Sequence, residues 1–400
     1  MRQVDCAVAV VGAGGVGSAL ALDLQRRGIS CLLLEARTPD YAPGSPERAI
    51  ALSAGSLDYL RALGVDLPGM ADILGAIRHI RVVEAGARAR VALDAEEGGL
   101  LGGVVEMGHL LGALHGRLGD GVLLPECRIE GVAADDHCVA IDCRLAGGRS
   151  RRITARLLVA ADGSDSAIRR MAGIATCGWA HNRYAVTASL RSGRGHGDTA
   201  WECFHRAGPL ALLPLADGRY SLVWVTTPRD GARLMLCDDD GWRARLQQAL
   251  PAAVRARIGA VESVGPRAFF PLQLACARRL TGRRLALAGN AAHTIHPVAG
   301  QGMNLGLRDA MALATVAAEA EDPGAAIALA RYADGRRVDI AMTCGFTEGL
   351  LATFALPGGL PRLLRQAGMR LMGAGGGLRR LLIDYATGRR QAAAIVGGRS

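Results

Sequence analysis

No lysine occurs in the sequence: all 47 basic residues are arginine. That excludes lysine nucleophiles and Schiff-base chemistry, and otherwise fits a GC-rich coding bias. Aromatic residues make up only 4% of the 400 residues, so the stacking platforms that hold nucleic-acid bases have little raw material. The ten cysteines contain no Cys-x-x-Cys pair, which fits reduced thiols in a cytoplasmic protein better than a zinc site or a small disulfide framework. No stretch of ~20 apolar residues is free of charge and glycine, so no transmembrane helix is expected. The uncharged run Cys6–Leu22 follows Asp5 and carries patterned glycines, the mark of a folded turn rather than a signal peptide.

Half of the residues are hydrophobic, enough for one large domain or two intimate ones. The net charge of +10 is unevenly spread. Residues 356–400 hold eight arginines (362, 365, 370, 379, 380, 389, 390 and 399) against one acid, Asp384, leaving the body close to neutral. Leu360, Leu363, Leu364, Ala367 and Leu371 fall on one helical stripe with Arg362, Arg365 and Arg370 off it, and a second stripe starts at Leu378. Cationic amphipathic helices of this kind lie on anionic bilayers or pack on a core with their arginines solvated.

Residues 6–11 read as a buried parallel strand. Gly12-Ala13-Gly14-Gly15-Val16-Gly17, an amphipathic stretch to Arg27, and a second strand from Ser30 to Leu34 follow, with Glu35 at its end. This is Gly-x-Gly-x-x-Gly in a βαβ setting: the first glycine makes the turn, the second admits a pyrophosphate, and the third lets helix and strand pack. Glu35 is placed to accept hydrogen bonds from a ribose. The unit implies a dinucleotide, and FAD and NAD both satisfy it.

Two later segments narrow that choice. A strand over 157–161 ends in Asp162-Gly163, with Ser166 as the cap of a short helix. Strand Leu285–Ala288 runs into Gly289-Asn290 and then Pro297-Val298-Ala299-Gly300-Gln301-Gly302-Met303-Asn304, where a helix to Ala318 begins. Its unpaired N–H groups and positive end suit an electron-rich partner.

These three motifs, in this order and spacing, resemble the class A flavoprotein aromatic hydroxylases over roughly 300 residues. Arg48-Ala-Ile-Ala-Leu-Ser53, Gly208-Pro-Leu-Ala-Leu-Leu-Pro214, Tyr332 and Arg336-Arg337-x-Asp339 are similar to the ubiquinone-biosynthesis hydroxylases within that family. Asn290 stands where the wider family has Asp, and resembles the 2-polyprenyl-6-methoxyphenol hydroxylase branch. Gly108 stands where relatives often carry a basic residue, so no contact is assigned there.

The resemblance implies an α/β chain, α+β overall: a Rossmann-like FAD-binding domain with an inserted β-sheet substrate domain and C-terminal helices. The expected parts are 1–175 (with substrate-domain strands near 76–105), 176–265 for the substrate sheet, 266–345 for the rest of the FAD-binding domain, and 346–400 for basic amphipathic helices. Gly12, Gly14, Gly17 and Glu35 would hold the ADP half of FAD, with Arg48 near the pyrophosphate or isoalloxazine. Asp162 and Gly163 would support the pyrophosphate, and Asn290 the ribityl chain. Pro297, Gly300, Gln301, Gly302, Met303 and Asn304 would border the ring.

Members of that family use NAD(P)H and O2 to form a flavin C4a-hydroperoxide that hydroxylates an electron-rich ring. The implied substrate is a polyprenylated phenol, with other ubiquinone-biosynthesis proteins and the inner membrane face as candidate contacts. A soluble aromatic or polyketide substrate, or a low-turnover flavin-binding subunit, are the alternatives. Leu210–Leu215, the turn Ala216-Asp217-Gly218-Arg219 and Tyr220–Val225 read as a β-hairpin over an apolar cavity. His293 and His296 form His-x-x-His, but two ligands inside a glycine-rich flavin motif do not make a metal site. His296 is expected in the turn beside Pro297, near the substrate phenol. No catalytic acid or base is assigned.

Overall fold

Strand Cys6–Val11 is the hub of the first sheet in the computed structural model, which describes residues 4–39, 41, 49–86, 90–205 and 207–356, with 358, 363, 367, 387 and 388 beyond them. Val8, Ala9 and Val10 are all buried, as a central parallel strand covered on both faces requires. The hub pairs in parallel with Cys31–Leu34 on one side and Ser150–Ala160 on the other. Ser150–Ala160 pairs in parallel with Leu285–Leu287. Val11, Ala160 and Leu287 lie in register, so the three glycine-bearing segments leave the sheet side by side at its carboxyl edge. This edge is where open α/β sheets bind ligands.

Helix α1 (Gly15–Arg26) follows the first strand and buries Ala19, Leu20, Leu22 and Leu24. Helix α2 (Gln301–Glu319) packs beside it, burying Leu305, Leu307, Ala310 and Leu313. Gly306 permits that approach: a Cβ there would stand 2.6 Å from Val16 Cγ2. Helix α3 (Ala326–Ala355) runs on without a break, so the expected boundary between 345 and 346 falls inside a helix.

A nine-stranded sheet forms the second layer. Its centre is Thr176–Ser192, Tyr220–Thr226, Gly208–Pro214 and Thr199–His205, joined in parallel to His79–Glu84. The expected hairpin is present, with Leu215 N–H donating to Arg219 O and Gly218 at φ +82° in its turn. Ala268–Ala277, which the sequence reading put in the second part of the FAD-binding domain, pairs with Thr176–Thr187 instead. His293–Thr294 extends the same sheet. Strand pairing thus carries this sheet past residue 265.

The two faces of the nine-stranded sheet differ by alternation. Trp201, Cys203, Leu210, Leu212 and Leu222 pack under the helices at 228–258 through Trp242, Leu246, Val254 and Ile258. Ala200, Glu202, Phe204, Ala211, Leu213 and Val223 face the other way, onto a cavity. No helix among the described residues is long and apolar enough to cross a membrane.

Candidate active site

Gly12 sits at φ +104°, and a Cβ on it would lie 2.4 Å from Ala161 O. Its N–H donates to Leu34 O at 2.8 Å, which closes the turn against the second strand. A Cβ on Gly17 would lie 2.0 Å from Gly12 O, so the third glycine is needed for helix–strand contact. Gly14 has nothing within 4 Å of its Cβ position, and neither has Gly163. Those two glycines leave open space where the turns face the cavity.

Glu35 is engaged by backbone: Oε2 accepts from Ala13 N–H at 2.8 Å and Oε1 from Arg37 N–H at 3.1 Å. Each oxygen keeps a further lone pair. Asp162 Oδ2 accepts from Ile168 N–H at 3.2 Å, while its Oδ1 is buried without a hydrogen-bond partner. Ser166 caps the short helix Ala167–Met171 by accepting from Arg169 N–H, as expected.

Gly14, Gly163, Asn290, Pro297 and Gly300 through Asn304 line one cavity of about 590 Å³. Gly12, Gly17, Glu35 and Asp162 stand behind these turns, outside the lining. Arg48 lies outside the described residues, as do the two stripes expected beyond Leu356, apart from isolated positions. Helix α2 opens at the cavity with Gly300 at φ +61° and no side-chain cap, so its first-turn N–H groups lack intrahelical partners. Asn290 is exposed to the cavity mouth.

Asn304 lines the cavity, and its side chain is held by protein on every side. Its Oδ1 accepts from Ser53 N–H and Ser56 Oγ–H, and its Nδ2 donates to Ala51 O and Gly300 O. All four hydrogen-bonding positions of the carboxamide are filled by protein. The side chain therefore ties the helix start to strand Ala49–Ser53 and has none left for a flavin.

Both histidines of the segment are buried. His296 is in the turn beside Pro297, but it is 1% exposed and absent from the cavity wall. Its Nδ1 accepts from Val298 N–H at 3.1 Å, and burial pushes its pKa down to about 3, with His181 adding to the effect. His293 is fully buried, with Nε2 2.6 Å from Asp309 Oδ2. No group of three or more metal-ligating side chains exists among the described residues.

Asp309, missed from the sequence, anchors the glycine-rich turn. It accepts from Gly289 N–H at 2.9 Å and from Arg336 Nε at 2.7 Å besides meeting His293. Arg336 also pairs with Asp339, which holds Arg308 bidentately. Tyr332 donates to Leu287 O at 2.7 Å. The Tyr332 and Arg336 motif thus braces the turn from α3. The charged i, i+3 spacing of Arg336 and Asp339 was readable; their partner on α2 was not.

The remaining cavity wall is apolar. Ile80, Val82, Val91 and Leu93 come from the nine-stranded sheet, and Phe346, Leu350 and Phe354 from α3. Phe354 stacks on Phe204 with centroids 3.8 Å apart. Glu202 is the one ionisable side chain among the described residues of the lining. Its signal in the sequence was faint: a single charge on the Ala200–Phe204 face of an otherwise apolar strand.

Residues 5–344 match the family described as FAD binding domain. The chain is 34% identical over 397 residues to a ubiquinone hydroxylase of Rhodospirillum rubrum, covering 95% of this chain and 89% of that one. It is 35% identical over 401 residues to the 3-demethoxyubiquinol 3-hydroxylase of Escherichia coli, covering 97% and 100%. Among solved structures, p-nitrophenol 4-monooxygenase of Pseudomonas putida superposes with a TM-score of 0.80 at 20% identity, covering 97% and 99%, which shows a shared fold. The chain belongs to the FAD-binding-domain family and, within it, to the ubiquinone hydroxylases, and is an FAD-dependent oxidoreductase of the monooxygenase class.

Proposed function

We propose that the protein hydroxylates the ring of a polyprenylated phenol, using NAD(P)H and O2. The observation that carries this reading is a single cavity bounded by glycine turns at one sheet edge and by apolar side chains of the second sheet and α3. Its residues fit FAD. Gly14 and Gly163 offer space that any side chain would fill, and the start of α2 presents free N–H groups. Gly12, Gly14, Gly17 and Glu35 would hold the ADP half, Gly163 would border the pyrophosphate with Asp162 supporting its turn through Ile168 N–H, and Asn290 would meet the ribityl hydroxyls. Pro297 and Gly300 to Met303 would border the ring, with Asn304 acting through the backbone it holds.

Bound FAD supplies oxygen activation and hydroxyl transfer. The protein's own part is threefold. The N-terminal end of α2 stabilises negative charge brought against it. Ile80, Val82, Val91 and Leu93 exclude water and match an isoprenoid chain. The Asp309–Arg336–His293 network keeps the 289 turn fixed under the cavity.

A prenylated phenol is stored in lipid, and residues 356–400 carry seven net positive charges, which supports contact of that segment with an anionic surface. The test of the main reading is NAD(P)H-dependent oxygen uptake by the holoprotein with a prenylated phenol, with the product identified by mass spectrometry. Stimulation with a stoichiometric hydroxylated phenol is expected. Equal rates with and without prenylated phenols, alongside turnover of an unprenylated aromatic, would overturn it.

A further inference from the structure

Glu202 is an acid in an apolar wall. It sits on strand Thr199–His205 between Ala211 on one neighbouring strand and Val82 on the other. Ala200 and Phe204 flank it along the strand, and all five residues line the cavity that the glycine turns also bound. Its carboxyl has no hydrogen-bond or ion-pair partner among the described residues. Glu84 lies on the same face one residue pair along, opposite Phe204 and outside the lining. The neighbouring strands Gly208–Pro214, Tyr220–Thr226 and Arg90–Asp94 contribute Ala211, Leu213, Val223, Val91 and Leu93 to the wall, and α3 contributes Phe346, Leu350 and Phe354, none of them ionisable.

An unpartnered carboxyl in apolar surroundings weakens a fold, and a leucine there would pack better. Residues that break a packing rule in this way cluster at functional sites. We propose that Glu202 meets the phenolic hydroxyl of the substrate and exchanges its proton during ring hydroxylation, an assignment that rests on the phenol-hydroxylase reading above. The carboxylate takes the phenolic proton: the phenol O–H bond breaks, a carboxyl O–H bond forms, and the electron pair stays on the phenolate oxygen. That oxygen raises electron density at the ring carbons ortho and para to it. As the hydroxylated carbon releases its own hydrogen to solvent as a proton, Glu202 returns the first proton to the same oxygen. The same contact fixes which end of the phenol enters first, with the prenyl chain left to the aliphatic wall.

Burial pushes the Glu202 carboxyl up to about 8, near the working pH, where a general base is most effective. The test compares holoenzyme of wild type, Glu202→Gln, Glu202→Asp and Glu202→Leu with a short-chain prenylated phenol. Wild-type kcat/KM is expected to climb with pH through about 8, and Glu202→Gln to lose about 10²–10⁴-fold and the climb with it. Glu202→Asp should restore the climb at an intermediate rate. Glu202→Leu should unfold at a higher temperature than wild type while turning over no faster than Glu202→Gln. Infrared titration of the substrate-free protein adds a readout without turnover: a protonated-carboxyl band that vanishes through about pH 8 in wild type and is missing from Glu202→Gln. Glu202→Gln within about threefold of wild type and with the same pH limb, or no such band in wild type, would overturn the assignment alone. A wild type that makes no hydroxylated phenol would overturn it together with the phenol reading.

Discussion

Asn304 and Ser53 are 251 residues apart in sequence, and Asn304 Oδ1 accepts a hydrogen bond from Ser53 N–H at 2.8 Å. The same oxygen receives Ser56 Oγ–H, while Nδ2 holds Ala51 O and Gly300 O. One carboxamide therefore joins the start of α2 to the strand that forms the opposite rim of the cavity. Asn304→Ala leaves a buried N–H and two carbonyls without partners. A loss on the order of 2 kcal/mol in unfolding free energy is expected, together with weaker FAD retention. Urea unfolding of the apoprotein and flavin titration measure the two effects separately; an unchanged midpoint in both would refute the clamp.

Gly14 and Gly17 are three residues apart and answer to different demands. A Cβ at Gly17 meets Gly12 O at 2.0 Å, whereas a Cβ at Gly14 meets nothing within 4 Å. Gly17→Ala should therefore destabilise the apoprotein itself, with little folded protein recovered. Gly14→Val should keep the apoprotein's melting temperature and lose FAD affinity, because its side chain would enter the cavity. Thermal melts and FAD binding of both variants check the contrast, and the reverse pattern would remove the assignment of the turn to FAD.

Local constraint explains what was legible in the sequence. The Gly12–Gly17 turn, Ser166 and the 210–225 hairpin each involve residues a few positions apart, so pattern and turn chemistry identify them. Asn304 with Ser53 and Asp309 with His293 and Arg336 depend on helices and strands far apart in sequence meeting in space. Residues such as Asn304 and His296 look like site residues in a motif, yet backbone groups already claim them. Glu202 needed both strand register and the position of the cavity.

Ala211 and Val223 pair across the sheet beside Glu202, on the cavity face. The small side chain at 211 leaves room against that wall. Ala211→Phe should fill it, raising KM for a prenylated phenol at least about tenfold, the scale of 1.4 kcal/mol, while the flavin absorbance of the purified protein stays unchanged. Steady-state kinetics beside a visible spectrum tests this. An unaltered KM would place the ring elsewhere in the cavity.

The Asp309 network predicts how the fold responds to acid. Burial by itself would raise the Asp309 carboxyl, but the charges of His293 and Arg336 outweigh burial and hold it down to about 2. A carboxylate held below its unfolded value of 3.8 stabilises the fold above about pH 4 and loses that contribution as pH falls toward 2. Asp309→Asn should cost about 3–5 kcal/mol at pH 7, because it strips a buried Arg336 and His293 of their anion. It should also flatten the stability profile between about pH 4 and 2 relative to wild type. Denaturant unfolding at a series of pH values gives both numbers; an Asp309→Asn profile parallel to wild type would show that other carboxylates govern acid unfolding.

Residues 356–400 concentrate the chain's positive charge, with eight arginines against Asp384. If this segment meets an anionic surface, binding should depend on charge and weaken with salt, since the attraction falls off within a Debye length of about 10 Å at 0.1 M. Full-length holoprotein should float with vesicles containing anionic phospholipid and stay behind with neutral ones. The variant Arg362→Gln, Arg365→Gln, Arg370→Gln should lose most of that flotation while keeping its flavin and its turnover of a detergent-dispersed phenol. The segment's apolar stripe is untouched in the variant, so loss of flotation would be an electrostatic effect. Equal recovery of wild type and variant with both kinds of vesicle would remove the surface-contact proposal and leave the phenol reading standing.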